Sequence, residues 1–391
     1  MESLSDDALC SRGGWPPDFV TRPSAPPLWQ TTAFDLEGLE QLEAVTSGRE
    51  KGYIYTRDGN PNQEAFAHDV ATLERAEAGA VCASGMGALT AAILSHARPG
   101  DHVLAARVLY GKTTQLLQQL PERFGIDVTF VDISDVDNFR RGVTARTRLA
   151  LIESVSNPLV EVADIPSIAA ALGNVPLLVD NTFATPCLLR PLELGACFAF
   201  HSASKYLNGH GDVMLGVMVG ERLAIRRMRA LTSLLGLNSN PFECWLASRG
   251  MRTLPLRIRQ ASETAAQLAE WLQQQSGISR VYYPGLKDHP TRPLAQKLLK
   301  HGCGGMLSFE LAGGRPAVAS LFRALHQAIP FSPTLADTRS TFSYPAETSH
   351  KFISAEERRA CGIGDGLVRL SVGLEELADL QRELTLGFKA H

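Results

Sequence analysis

The stretch LLVDNTFATPCLLRPLELGACFAFHSASK, residues 177–205, decides the fold. It holds two short apolar runs, Leu177–Asp180 and Cys197–His201, and each leads directly into polar residues. Asp180-Asn181-Thr182 closes the first run, and Ser202-Ala203-Ser204-Lys205 follows the second. Near-continuous apolar runs of this length fit strands covered on both faces, as in a parallel sheet. Similar runs recur to either side, at Gly79–Ala83, His102–Arg107, Asp127–Val131, Ala150–Val155 and Val213–Val219. Helical patterns separate them at Asn62–Glu77, Gly87–His96 and Lys112–Phe124. This alternation predicts the α/β class, with a mostly parallel central sheet covered by helices. Ligands in such sheets bind beyond the carboxyl ends of the strands, so the polar residues there come first.

After Pro241 the pattern changes. A helix around Ser262–Gln275 precedes strand-like Arg280–Tyr283 and Gly305–Leu311. A helix near Ala317–Gln327, a strand at Leu367–Val372 and a last helix at Leu377–Lys389 follow, reading as a smaller α/β domain. The expected organisation is an N-terminal arm and short helix at 1–52, a large domain at 53–245 and a C-terminal domain at 246–391. In the arm, Pro16, Pro17, Pro23, Pro26 and Pro27 exclude regular helix. Leu36, Leu39, Leu42 and Val45 then space a short helix within Phe34–Val45. An extended arm over another subunit and a disordered tail at 1–14 both fit the composition.

The composition bounds the function. Of 391 residues, 45% are hydrophobic and 20% charged, which fits a soluble globular chain. The net charge of −3 argues against a nucleic-acid partner, which would call for a basic excess. No run of roughly 18 apolar residues exists to span a membrane. The acidic first residues lack the features of a secretory leader. Seven scattered cysteines with no CxxC pair predict neither a disulfide framework nor a metal site, and a reducing cytoplasm is expected.

The residues at the strand ends suggest chemistry. A strand-end lysine flanked by small residues can attack a carbonyl and form a Schiff base. Pyridoxal 5'-phosphate (PLP) needs such a lysine, an acid for its pyridine nitrogen and donors for its phosphate. Lys205, Asp180, Ser202 and Ser204 supply all three. A solvated lysine after a core strand is the plainer reading of Lys205 alone, but four suitable groups at two strand ends weigh against it. Ala83-Ser84-Gly85-Met86-Gly87-Ala88 also follows a strand and opens a helix, whose N-terminus favours an anion. It has neither a complete GxGxxG nor the lysine of a P-loop, so it fits a phosphate cradle better than a nucleotide fingerprint.

With these residues in view, HSASKYLNGHGD (201–212) resembles the PLP-lysine motif of the cystathionine γ-synthase / γ-lyase family. So do GYIYTRDGNPN (52–62), ASGMGA (83–88), LYGKT (109–113), IESVSNP (152–158), VDNTFATP (179–186), RGMRTLPLR (249–257) and LVRLSVGLE (367–375), in the family's order. The resemblance implies PLP fold type I, the aspartate aminotransferase-like architecture. It implies that Lys205 carries PLP and moves protons, and that Asp180 keeps the pyridine nitrogen protonated. Tyr110 would stack on the ring and assist proton transfer. Gly85, Met86, Ser202 and Ser204 would bind the phosphate, with Tyr55 and Arg57 reaching it from a neighbouring subunit. Arg369 and Asn157 would clamp the substrate carboxylate, and Thr334 would stand in for a serine that positions the lysine. A homotetramer with sites shared between paired subunits is implied as well.

Structural readings stand beside these roles. Tyr110 could be a turn tyrosine, Arg57 a surface ion-pair partner and Arg369 an interdomain strut. Glu153 and Asn181 flank motifs and read equally well as structural hydrogen-bonding groups. His201 and His210 read as supporting groups rather than catalysts, and Met214 and Met218 as core. Two departures from the family pattern fall at Pro333, where γ-synthases and many γ-lyases carry glutamate, and at Lys112, where methionine γ-lyases carry cysteine. The expected activity is that of a C–S lyase eliminating the γ-substituent of methionine-, homocysteine- or cystathionine-like substrates. The alternatives are γ-replacement, of the cystathionine γ-synthase or O-acylhomoserine sulfhydrylase type, and a PLP-fold binding protein without turnover.

Overall fold

The computed structural model describes residues 23–351 and 354–389, so the tail expected at 1–14 lies outside the described residues. Seven strands build the central sheet: β1 Ala78–Cys82, β2 His102–Ala106, β3 Asp127–Val131, β4 Thr147–Glu153, β5 Leu177–Asp180, β6 Phe198–Ser202 and β7 Gly216–Gly220. Their order is β1-β7-β6-β5-β4-β2-β3. Only β7 runs against its neighbours, pairing antiparallel with β1 and β6. The expected apolar character has its physical cause here, because β2 and β7 are buried at every position under helices on both faces.

The helices start where local chemistry supports them. Asn60 caps Pro61–Glu74, accepting from the Asn62 N–H at 2.9 Å, and Pro61 fills the first turn, where no amide hydrogen is needed. Ser84 caps Gly85–His96 by accepting from the Gly87 N–H at 3.0 Å. The short helix expected within Phe34–Val45 lies at Leu39–Thr46.

A second sheet follows: β8 Ile278–Tyr282, β9 Met306–Leu311, β10 Thr341–Ser343 and β11 Leu367–Ser371, ordered β10-β11-β9-β8 and antiparallel throughout. Its core gathers Leu307, Phe309, Phe342 and Leu370 beneath helices Leu254–Leu272, Gly314–Leu325 and Leu377–Phe388. The division expected between residues 245 and 246 falls inside a continuous helix, Pro241–Met251.

One expectation is corrected. Met218 is core at 1% exposure, but Met214 is 60% exposed and lines a cavity. The strand expected from Val213 begins only at Gly216. Ser204 explains the delay, because its Oγ takes the Leu215 N–H at 2.9 Å and holds 213–215 as a loop. Gly216 then passes so near the Ser84 carbonyl that a Cβ there would collide with it.

Candidate active site

The carboxyl ends of β4, β5 and β6 open into a cavity of about 590 Å³ between the two sheets. In parallel strands, residues in register point the same way, and Glu153, Asp180 and Phe200 are register partners. All three line the cavity, together with Ser202 and Lys205. The polar ends of the two apolar runs therefore meet in space.

Asp180 and Ser202 are joined through one side chain. Thr182 Oγ1 donates to Asp180 Oδ1 at 2.5 Å and accepts from the Ser202 N–H at 2.9 Å. The Thr182 N–H donates to the same Asp180 oxygen at 2.9 Å. Burial pushes the Asp180 carboxyl up, while the Thr182 hydrogen bonds and His201 pull it back down. Beside it, burial and the Asp180 charge push Glu153 well above the usual carboxylate range. Glu153 Oε1 still accepts from the Tyr110 N–H at 2.5 Å, which fixes the start of the helix Gly111–Phe124.

Lys205 Nζ donates to Thr334 Oγ1 at 2.9 Å. Burial, aided by the nearby Arg369 charge, lowers the lysine to about 8, so about one-tenth is free amine at pH 7, far more than for an ordinary lysine. Arg369 is buried in β11, donating from Nη1 to Asn157 Oδ1 at 2.9 Å and from Nη2 to the Thr334 carbonyl at 3.3 Å. Its Nε is buried with no partner among the described residues, while the residue itself lines the cavity. Burial lowers it to about 10, which leaves it a cation at neutral pH.

Gly85 and Met86 open a helix at the cavity, presenting its N-terminal amides. A Cβ on Gly85 would lie 3.2 Å from Ser202 Oγ, so the glycine keeps this cradle open. Ser204 lines the cavity too, although its hydroxyl is already tied to the Leu215 backbone.

Among the residues singled out by sequence, Lys205, Asp180, Tyr110, Gly85, Met86, Ser202, Ser204, Arg369 and Asn157 all line one cavity. Thr334 touches it through Lys205, with its neighbours Pro333 and Leu335 on the wall. Tyr55 and Arg57 are not among the lining residues; Arg57 stacks over the Tyr55 ring at 4.9 Å on the surface. His210 lies on the surface, with Nδ1 2.7 Å from the Asn208 carbonyl. Glu153, which flanks a motif and read equally well as a structural hydrogen-bonding group, lines the cavity, whereas sequence reading missed the wall formed by Glu347, Ser349 and Lys351. A Cβ on Gly111 would overlap the Ser349 carbonyl, so the Tyr-Gly pair in LYGKT marks where that wall packs.

An acid facing inward, a desolvated lysine, anion-binding amides and a buried arginine cation at the cavity match the needs of PLP and an amino-acid carboxylate. The comparisons agree. The model of the Cys/Met metabolism PLP-dependent enzyme family matches residues 7–389. An L-methionine gamma-lyase from Porphyromonas gingivalis is 40% identical over 368 residues, covering 93% of this chain and 92% of that protein. An O-succinylhomoserine sulfhydrylase from Pseudomonas aeruginosa is 38% identical over 365 residues, covering 93% and 90%. The structure of cystathionine gamma synthase from Xanthomonas oryzae pv. oryzae, in complex with aminoacrylate and cysteine, superposes with a TM-score of 0.88. It is 33% identical and covers 94% of this chain and 93% of that one.

Proposed function

Given that the chain belongs to the Cys/Met metabolism PLP-dependent enzymes, we propose γ-elimination as its reaction. A methionine-, homocysteine- or cystathionine-like substrate and water would give 2-oxobutanoate, ammonia and a thiol. The observation that carries this reading is the convergence of Lys205, Asp180 and Arg369 on one cavity.

When bound, PLP supplies an electron sink that lets a proton leave Cα of an amino acid. In this reading Asp180 pairs with the ring nitrogen and keeps its proton in place. Gly85, Met86, Ser202 and Ser204 hold the phosphate, and Tyr110 covers the ring. Arg369, with Asn157 beside it, binds the substrate carboxylate and fixes Cα before Lys205. Lys205 Nζ removes the Cα proton, and Thr334 Oγ1 keeps the amine aimed into the cavity. Tyr110 Oη hands a proton to the departing sulfur.

A γ-replacement reading is favoured by two cations, Lys112 and Lys351, on the outer wall. They suit an acyl leaving group that ends in a carboxylate. Incubation with methionine, cystathionine, cysteine and O-acyl-homoserines, with and without an added thiol, separates the two. Elimination predicts 2-oxobutanoate and a thiol from methionine alone; thioether formed only from O-acyl-homoserines would contradict it.

The proposal extends to assembly, place and domains. No helix of the described residues is long and apolar enough to cross a membrane. We place the enzyme in the cytoplasm as a homotetramer of dimers that share sites, with an arm at 1–52 and domains at 53–245 and 246–391. The surface position of Tyr55 and Arg57, away from their own cavity, supports their use in a neighbour's site.

A further inference from the structure

Behind the cavity, the neighbours of Asp180 and Ser202 converge on one buried carboxyl group. Strand alternation sends Asp180, Phe200 and Ser202 forward into the cavity and turns Asn181 and His201 to the opposite face. There they meet Glu74, the last residue of the helix Pro61–Glu74, and all three side chains are fully buried. Asn181 Nδ2 donates to Glu74 Oε1 at 2.8 Å, and His201 Nε2 faces the same oxygen at 2.7 Å. Asn181 is held further by donating from Nδ2 to the Leu189 carbonyl at 2.9 Å and from its N–H to the Phe200 carbonyl at 2.8 Å. Glu74 Oε2, Asn181 Oδ1 and His201 Nδ1 are buried with no partner among the described residues.

Packing does not account for this cluster. Ionisable groups are seldom fully buried, and a buried carboxyl–imidazole pair is commonly no more stable than apolar residues of the same volume. Its cost here falls on two specific points of the chain, the residue just after Asp180 and the residue just before Ser202. On the cavity side Thr182 Oγ1 already bridges those same two strands, to Asp180 and to the Ser202 N–H. Front and back bonds together fix the spacing of β5 and β6 at their carboxyl ends.

We propose that Glu74 is a positioning residue for the cofactor, holding Asn181 and His201 through Oε1 so that Asp180 and Ser202 stay in register. This rests on the assignment of PLP to Asp180 and Ser202 above. A displacement of about 1 Å at a reacting group can cost on the order of 100-fold in rate, so a strand-end tether of this kind affects turnover without touching the substrate.

The test uses three variants of the holoenzyme. Glu74→Gln keeps an oxygen that can accept from both partners, Glu74→Leu keeps the volume without the oxygen, and Asn181→Ala removes one link. For each, kcat and substrate KM are measured, along with thermal stability and the PLP retained in equilibrium dialysis against graded PLP. Glu74→Leu and Asn181→Ala should lower kcat about tenfold or more and raise the PLP needed for half-occupancy roughly fivefold, with KM within about threefold. Glu74→Gln should stay within about threefold of the parent on every measure. If Glu74→Leu does not fold, Asn181→Ala and Glu74→Gln decide by the same criteria. A lowered melting temperature with kcat and half-occupancy within about twofold would overturn the proposal, as would Glu74→Gln as impaired as Asn181→Ala. Asp180→Asn in the same assays separates the two ideas. If Asp180→Asn is normal, the cofactor assignment is wrong; if only Asp180→Asn is impaired, the positioning role is wrong.

Discussion

Arg369 and Asn157 are joined across the two sheets, Nη1 of the arginine donating to Oδ1 of the asparagine at 2.9 Å. Arg369 lies opposite Ser308 in the β9–β11 pairing, and Ser308 Oγ donates to the Pro158 carbonyl at 2.8 Å. Adjacent positions of the C-terminal sheet thus grip consecutive residues of the loop after β4. Asn157 is fixed by the same guanidinium that would meet the substrate carboxylate.

Arg369→Lys should therefore lower kcat/KM about 10- to 100-fold, mainly through KM, because one ammonium cannot hold both the asparagine and a carboxylate. Steady-state kinetics with the best substrate checks this. An unchanged KM would remove Arg369 from carboxylate binding.

The buried Lys205 sets a pH dependence in the apoenzyme. Its folded value is about 8, against an ordinary 10.5, so between these the unfolded chain holds a proton that the folded chain lacks. Stability should rise with pH across that window, and below about 8 the full penalty of the buried charge remains. Lys205→Met lacks the penalty, so its stability advantage in urea denaturation should shrink from pH 7 toward pH 10. A difference independent of pH would show that the lysine is not desolvated.

How much of this was legible follows from where chemistry leaves a mark on sequence. Apolar runs that end in Asp180 or lead into Ser202 show a strand and its carboxyl end together, so the central sheet and the residues that gather at one cavity could be read directly. The helix Leu254–Leu272 starts well before the expected Ser262, with Pro255 in its first turn, where proline is tolerated. Glu347, Ser349 and Lys351 reach the cavity only because the segment folds over Gly111, a tertiary contact with no local pattern. Glu74 looks like any solvated residue at a helix end until Asn181 and His201 are seen to turn back toward it.

Substrate preference is tested at Pro333, which lines the cavity without side-chain charge or amide hydrogen. The enzyme should favour a methylthio or acyloxy γ-substituent over cystathionine, whose distal amino group finds no side-chain carboxylate at Pro333. Pro333→Glu should shift the kcat/KM ratio toward cystathionine roughly tenfold, the worth of one charge-assisted hydrogen bond. A parent enzyme that already prefers cystathionine tenfold over methionine and O-acyl-homoserines, by about 1.4 kcal/mol, would contradict this.

Shared sites predict complementation. Arg57→Ala and Lys205→Ala should each be inactive or nearly so, and mixing them should restore part of the activity, because one mixed site then has both residues intact. Activity and mass analysis of exchanged oligomers check it. No recovery after confirmed exchange would place Arg57 outside the partner's site.

The central claim is that Lys205 is the residue to which PLP is attached. Borohydride reduction of the holoenzyme makes such a link permanent, and peptide mass mapping then locates it. The account predicts a pyridoxyl adduct on the peptide bearing Lys205, absent in Lys205→Ala. An adduct on any other lysine, or none in an enzyme that turns over its substrate, would contradict it.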